Sequence, residues 1–120
     1  MKEVFYQVLG KKEVEGEVLF QVELNKEHPV YQGHFPDIAV APGVMLTDMV
    51  RTLSETHLGL KLQLKEGKNI KFLQPVLPKK EARFEVKLQL VVEGHVSLKA
   101  VCGNENGAYF KVSAIYQKVQ

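Results

Sequence analysis

The residues of this sequence that could do chemistry lie in one short stretch, over residues 28–57. His34 carries an imidazole, whose ordinary pKa suits proton transfer near neutral pH. Asp48 adds a carboxylate. A helix that starts just after Pro42-Gly43 leaves its first amide N–H groups without internal partners, so they can donate to an anionic oxygen. An imidazole, a carboxylate and free amides this close together indicate acid–base chemistry.

A helix must position the carboxylate and the amides. After Pro42, apolar residues recur at helical spacing and predict a helix over residues 44–57, with a stop at Gly59. The predicted core stripe of this helix contains Leu46, Met49, Val50, Leu53 and His57. At about 100° per residue, Asp48 lies nearly opposite the stripe together with Glu55, where a carboxylate is normally solvated. Catalysis by Asp48 therefore requires another surface to cover that face.

The rest of the chain alternates apolar and polar residues, as half-buried strands do. The segment 4–9 fits a strand or a helical turn. Strands are predicted over residues 14–24, 70–73, 82–92, 96–102 and 108–117, with residues 65–69 as a polar link. Tight turns between the later strands imply antiparallel pairing. The predicted class is α+β, with one long helix wrapped by an antiparallel β-sheet, in a single domain over residues 1–120.

Composition narrows the class of protein. The chain has 120 residues, 45% of them hydrophobic and 25% charged, as in ordinary globular domains. A net charge of +2 is too small to indicate a nucleic-acid partner, and no apolar run reaches membrane-spanning length. The first ten residues lack a signal-peptide pattern, and the single Cys102 cannot form an internal disulfide, so the cytoplasm is the expected compartment. Cys102 is predicted to be a small core residue.

The motifs of the central stretch resemble those of a known family. They are Gly33-His34-Phe35-Pro36, Val40, Pro42-Gly43-Val44 and Asp48, followed after the helix by Ile70-Lys71-Phe72-Leu73-Gln74-Pro75-Val76. In this order they resemble the β-hydroxyacyl-acyl carrier protein dehydratases, hot-dog-fold enzymes of fatty-acid and related lipid or pigment synthesis. The hot-dog fold that the resemblance implies has the same helix-and-sheet plan as the strand pattern predicts.

The resemblance also implies catalytic roles. His34 would remove a proton from C2 of a 3-hydroxyacyl thioester, with the backbone carbonyl of Val40 holding its other ring nitrogen. Asp48 would pass a proton to the departing 3-hydroxyl, directly or through a water. The Gly43 amide would donate to the thioester carbonyl as the enolate develops. In relatives a second subunit covers the acidic face, so His34 of one protomer would meet Asp48 of the other in a homodimer or higher oligomer of dimers.

The substrate implied by the resemblance is a 3-hydroxyacyl chain on the phosphopantetheine arm of acyl carrier protein, and no cofactor or metal is needed. The substrate-binding residues would be Phe35, Val40, Val44, Met45, Thr52 and Phe72. Arg51, Lys79 or Lys80 would lie along the arm. Two positions depart from the family: Thr52 stands where many relatives have glutamine, and Ala39 where they have proline. The other histidines, His28, His57 and His95, lack the spacing of metal ligands and are predicted to be structural or exposed.

Three functions remain open at this point. The first is a (3R)-hydroxyacyl-carrier-protein dehydratase that produces a trans-2-enoyl thioester. The second is a hot-dog thioesterase, in which Asp48 would activate water at the thioester carbonyl. The third is a non-catalytic subunit that binds acyl chains or completes a heterodimer, which the departure at Thr52 favours. His34 within Gly-His-Phe-Pro favours elimination.

Overall fold

A computed structural model describes residues 4–31 and 39–119. Its elements are β1 (Tyr6–Val14), β2 (Glu17–Leu24), a single 3-10 turn (Pro29–Tyr31), α1 (Gly43–Leu58), β3 (Lys61–Phe72), β4 (Arg83–Val92), β5 (Val96–Asn104) and β6 (Gly107–Val119). The six strands form one sheet in the order β1-β2-β4-β5-β6-β3, and every neighbouring pair is antiparallel. The α+β plan of one long helix on an antiparallel sheet is confirmed.

The core lies between α1 and one face of the sheet. The stripe on α1 is buried as predicted at Leu46, Met49, Val50 and Leu53. Cross-strand neighbours form rows on the facing side of the sheet, and one such row contains Phe20, Val86, Cys102, Phe110 and Phe72. Each large side chain that is fully buried stabilises the fold by about 1.5–3 kcal/mol. The helix is therefore held by the stripe that its sequence pattern indicates.

Both ends of α1 are set by the residues that the sequence singles out. Pro42 precedes the helix in an extended conformation, with φ −65° and ψ 136°. Gly59 follows it in the left-handed region, and its N–H donates to the Glu55 carbonyl at 2.8 Å. His57 is the exception on the stripe, because it is only half-buried and its Nδ1 lies 3.4 Å from the Glu13 carboxylate.

Two strand predictions were wrong. Residues 14–24 do not form one strand, because Glu15 and Gly16 make a hairpin turn with φ of 34° and 78°, and Val14 ends β1. Residues 65–69 are not a link but the middle of β3, which pairs with β6 through two bulges. The segment 4–9, for which a strand and a helical turn were both possible, lies mostly in strand β1. β3 is an edge strand in which only Leu62 is buried, so it lacks the alternation by which strands are recognised.

Cys102 is a core residue, as predicted. It is fully buried in β5, in phase with Val96, Leu98 and Ala100. Burial raises the pKa of its thiol, so the reactive thiolate is disfavoured. Within the described residues, no helix combines the length and apolar character needed to cross a membrane.

The core is open along β3. Leu64, Ile70 and Phe72 pair with buried residues of β6, which places them on the core face of the sheet, yet they are 49%, 40% and 51% exposed. Val44, at the start of α1, is 79% exposed, and Leu73 is 52% exposed. We call these five residues the open edge. Large apolar side chains exposed along the margin of a core are typical of a surface that another molecule covers.

Candidate active site

The described residues include only part of the predicted site. His34 and Phe35 lie outside them, so the predicted roles of these two residues stay predictions. Asp48 and Gly43 lie on α1, Val40 just before it, and Phe72 at the end of β3. The structure therefore tests how the helix half of the site is arranged.

The start of α1 presents an available backbone donor. Ala41 N–H donates to the Val76 carbonyl at 2.9 Å, and Met45 and Leu46 N–H both donate to the Pro42 carbonyl at 3.1 Å. Among residues 4–31 and 39–119, no acceptor lies within hydrogen-bond distance of Gly43 N–H. Because this amide lies at the positive end of the helix dipole, it can donate to an oxygen that gains negative charge.

Gly43 is also required by a close contact. A Cβ placed on this residue would lie 2.7 Å from Cζ of Phe72, closer than real atoms pack. Any larger residue would push the Phe72 ring or the helix start aside. A groove of about 470 Å³ runs past this contact and is lined by Val40, Ala41, Gly43, Leu46, Phe72, Leu73, Gln74, Pro75 and Val76. The structure thus places Val40, Gly43 and Phe72, three of the predicted site residues, along one groove.

Asp48 lies on the exposed face of α1, as its helical position predicts, with 58% of its side chain exposed. Arg51 Nε donates to its Oδ1 at 2.8 Å. This hydrogen bond raises the pKa of the Arg51 guanidinium, although partial burial opposes the effect. In the described part of the chain, no donor contacts Oδ2 of Asp48. One carboxylate oxygen is thereby held while the other can bind a proton donor such as a hydroxyl or a water.

Glu55 differs from the sequence expectation. The helical pattern places it on the solvated face with Asp48, but its side chain is only 16% exposed. It accepts hydrogen bonds from Leu62 N at 2.7 Å and from Arg51 Nη1 at 2.9 Å. Glu55 therefore ties α1 to the start of β3. Arg51 is held between two carboxylates, whereas Lys79 and Lys80, the other predicted contacts of the phosphopantetheine arm, are exposed.

A second depression lies directly beside Asp48. It has a volume of about 320 Å³ and is lined by Phe5, Tyr6, Val44, Met45, Asp48, Met49 and Thr52. We call it the Asp48 pocket. Three predicted substrate-binding residues, Val44, Met45 and Thr52, therefore lie together with the predicted proton donor. Phe5 and Tyr6 are residues that the sequence did not indicate, because nothing in an N-terminal apolar segment shows which part of a distant helix it will contact.

Tyr6 makes a specific contact in the Asp48 pocket. Its hydroxyl lies 2.6 Å from Oγ1 of Thr52. Burial raises the pKa of the Tyr6 phenol, the hydrogen bond with Thr52 lowers it, and the nearby Asp48 carboxylate raises it again. The phenol therefore stays protonated at neutral pH. Thr52, the residue that departs from the family pattern, is paired with an aromatic hydroxyl from β1.

Two other histidines have local roles or positions away from this face. Nδ1 of His28 accepts a hydrogen bond from Val30 N at 3.0 Å, and the imidazole packs edge-on against Phe5 with ring centroids 5.9 Å apart. His95 lies in the turn between β4 and β5, where its carbonyl accepts from Glu93 N at 2.8 Å. Both observations agree with the structural reading of these residues.

Solved structures with the same fold include enzymes of two classes. The dehydratase heterocomplex ApeI:P from Xenorhabdus doucetiae has a chain 18% identical, with 98% of this chain and 99% of that one covered and a TM-score of 0.73. An uncharacterized protein from Erwinia carotovora subsp. atroseptica is 19% identical over 97% of each chain, with a TM-score of 0.68. A hypothetical thioesterase from Streptococcus pneumoniae, solved with coenzyme A, is 16% identical, covers 95% and 88%, and has a TM-score of 0.64.

These likenesses confirm the predicted hot-dog fold, and at such identities they show the fold alone. A search of curated proteins finds no match. The family is shown by sequence instead, because a family model described as ApeI dehydratase matches residues 10–110. The match includes Gly33-His34-Phe35-Pro36, Gly43 and Asp48, on which the predicted dehydratase resemblance depends. The chain belongs to the ApeI-like dehydratase family.

Proposed function

We propose that this protein is a (3R)-hydroxyacyl-[acyl carrier protein] dehydratase, which removes water from a 3-hydroxyacyl thioester and yields a trans-2-enoyl thioester. The observation that carries the proposal is how two polar groups are arranged on α1, in a chain that belongs to a dehydratase family. The available Gly43 amide and the Asp48 carboxylate lie about one and a half helical turns apart, each at an apolar depression. One group suits a thioester oxygen and the other suits a hydroxyl.

Groups at the two depressions take different parts in the reaction. His34 takes the proton from C2, and the electron pair of the C2–H bond forms the new double bond as the C3–O bond breaks. The Gly43 N–H stabilises negative charge on the thioester oxygen during this step. Asp48, in its carboxylic-acid form, gives its proton to the departing hydroxyl, directly or through a water, so that the hydroxyl leaves as water. The proton taken up by His34 then passes through solvent and restores Asp48. The elimination needs no oxidant, reductant or cofactor.

The active assembly would contain a second copy of this chain. Asp48 lies on the face of α1 opposite the core, and 58% of its side chain is exposed in the described part of the chain. The open edge, which includes Val44 and Leu64, borders the same face and exposes large apolar side chains. A homodimer that covers the open edge would bury this apolar surface and bring His34 of one protomer to Asp48 of the other.

Acyl carrier protein is the proposed partner that delivers the acyl chain. Pro75 and Val76 line the groove beside Gly43, and the exposed Lys79 and Lys80 follow in the chain after Leu77 and Pro78. These lysines could hold the phosphate of the phosphopantetheine arm while the arm enters the groove. Arg51 is less suited to this role because two carboxylates already occupy its guanidinium.

The test is turnover of defined thioesters by the purified protein. A 3-hydroxyacyl thioester should give the ultraviolet absorbance of a conjugated enoyl thioester, and an enoyl thioester should lose it by hydration. Release of free thiol without enoyl absorbance would contradict the proposal and identify a thioesterase. Absence of both reactions with binding retained would identify a non-catalytic acyl-binding subunit.

Variants assign the roles within the same assay. His34→Ala should abolish elimination with little change in thermal stability, whereas His95→Ala, in the turn between β4 and β5, should keep it. Asp48→Asn should lower kcat by about a hundredfold or more, because an amide cannot return the proton. If His34→Ala retained turnover, His34 would not be the base.

The thioesterase reading rests on one observation, the exposed carboxylate of Asp48, which could activate a water. It makes the opposite prediction for His34. Hydrolysis by Asp48 would survive His34→Ala and would be lost in Asp48→Asn. The two variants therefore separate the two reactions even if the wild-type protein shows some of each.

A further inference from the structure

Tyr6 and Thr52 are joined by a short hydrogen bond between β1 and α1. Their hydroxyl oxygens lie 2.6 Å apart, and either hydroxyl can donate to the other. Thr52 Oγ1 also lies 3.0 Å from the Met49 carbonyl, to which it can donate. In either arrangement the Tyr6 hydroxyl keeps a lone pair or its hydrogen for one more partner.

The Tyr6 hydroxyl lies in the Asp48 pocket. The pocket has apolar walls made by Phe5, Val44, Met45 and Met49, and its polar groups are Tyr6, Asp48 and Thr52. A hydroxyl group can donate one hydrogen bond and accept others. One hydroxyl on an otherwise apolar chain can therefore meet both Tyr6 and the Asp48 carboxyl group.

A 3-hydroxyacyl thioester offers such a hydroxyl at C3. The acyl carbons on either side suit the apolar walls, and the O–H can contact Tyr6 Oη while Asp48 acts on the same oxygen. The phosphopantetheine arm also carries amide N–H donors. These donors belong to the polar part of the substrate, and the walls of the Asp48 pocket favour the alkyl part.

We propose that Tyr6, anchored by Thr52, binds the 3-hydroxyl of the substrate and makes the enzyme prefer hydroxyacyl chains over saturated ones. This inference rests on the proposed function and adds to it a specificity residue from β1. It also gives the departure at Thr52 a role. A threonine at this position supplies the hydroxyl that holds the Tyr6 phenol in place.

The inference is tested by binding rather than by turnover. The probes are amides of pantetheine, which resist elimination and hydrolysis, prepared with 3-hydroxyacyl and with saturated chains over a series of lengths. Calorimetry should show that the wild-type protein binds the hydroxy probe about three- to tenfold more tightly than the saturated probe of equal length. Tyr6→Phe keeps the ring and should remove most of this preference, without weakening binding of the saturated probe.

Two further variants make the result specific. Tyr109→Phe also removes a hydroxyl that has a side-chain partner, Asn104 at 2.9 Å, but it lies outside the Asp48 pocket and should keep the preference. Thr52→Val removes the anchor and should reduce the preference even if Tyr6→Phe proves unstable in thermal unfolding.

The outcomes separate this inference from the dehydratase proposal. A wild-type protein that shows no preference at any length, or a Tyr6→Phe variant that keeps it, would overturn the role of Tyr6. Formation of enoyl thioester in the turnover assay would support the dehydratase in either case. A preference that depends on Tyr6 in a protein that releases no enoyl product would support the hydroxyl site and contradict the reaction.

Discussion

β5 and β3 belong to the same sheet, and both pair with β6, but they serve the molecule differently. β5 alternates over most of its length and buries Val96, Leu98, Ala100 and Cys102 in the core. β3 carries comparable apolar residues on the same face and leaves nearly all of them exposed. The central strand stabilises this chain, whereas the edge strand leaves apolar surface exposed.

The difference between the two strands agrees with the place at which we propose that the reaction occurs. Phe72 at the end of β3 contacts Gly43, and Leu62 at its beginning is held by Glu55 of α1. Between these two contacts, Val44, Asp48 and Arg51 face outward beside Leu64. The side of α1 that packs on the sheet is committed to stability. The side next to β3 leaves the Asp48 carboxylate and apolar surface exposed, where we propose that a substrate and a second subunit bind.

Thiol reactivity should show the largest contrast between the two strands. Cys102 in β5 is buried and its thiol pKa is raised, so reaction with a thiol reagent at pH 8 requires the core to open. A Leu64→Cys variant places a thiol on the open edge and should gain a second site that reacts at least about a thousandfold faster than Cys102.

The Leu64→Cys variant also tests whether copies of the chain associate through the open edge. If the open edge is an interface between copies, reaction of the thiol at position 64 should slow as protein concentration rises, and that of Cys102 should not change with it. Equal reactivity of the two thiols in dilute protein would mean that β3 is as well covered as β5.

Truncation of a side chain in β5 should lower the stability of the protein more than truncation of one in β3. Leu98→Ala removes a fully buried side chain from β5 and should lower the free energy of unfolding by about 2–5 kcal/mol. Leu64→Ala on β3 should cost less than about 1 kcal/mol in dilute protein, because the side chain is half exposed. Denaturant titration measures both. Similar losses would contradict the assignment of stability to the central strands.

Substitutions at the contact between Gly43 and Phe72 should change stability by a smaller amount, and a second substitution should reverse the change. Gly43→Ala forces a Cβ against the Phe72 ring and should destabilise the protein by about 1–2 kcal/mol and raise KM. Phe72→Leu in the same chain should recover most of the stability by making room. Gly94→Ala is the matched control, because nothing lies within 4 Å of a Cβ at that position. A harmless Gly43→Ala would show that the close approach is unimportant.

The sequence predicted the helix and those strands that bury one face and expose the other. Residues 44–57 form the helix, Gly59 ends it, and the strands after Pro78 lie where alternation places them. The exposed position of Asp48 also followed from helical spacing. Such patterns are visible because one face must be apolar and the other polar.

The remaining features depend on partners that are distant in the chain. β3 is exposed on both faces, so residues 65–69 carry no alternation and were predicted to be a link. Burial of Glu55 depends on Leu62 N, and the role of Thr52 depends on Tyr6, which reaches it from β1. A single sequence contains no signal for these pairings, since they are set by tertiary packing.

The most direct test of the account asks whether each active site is shared between two copies. His34→Ala and Asp48→Asn should each be inactive alone. Mixed and allowed to exchange subunits, they should recover about a quarter of wild-type activity, because half of the dimers are mixed and each of these has one intact site. Recovery near this level is the predicted result. No recovery, with subunit exchange verified by mass measurement, would contradict a site built from His34 of one protomer and Asp48 of its partner.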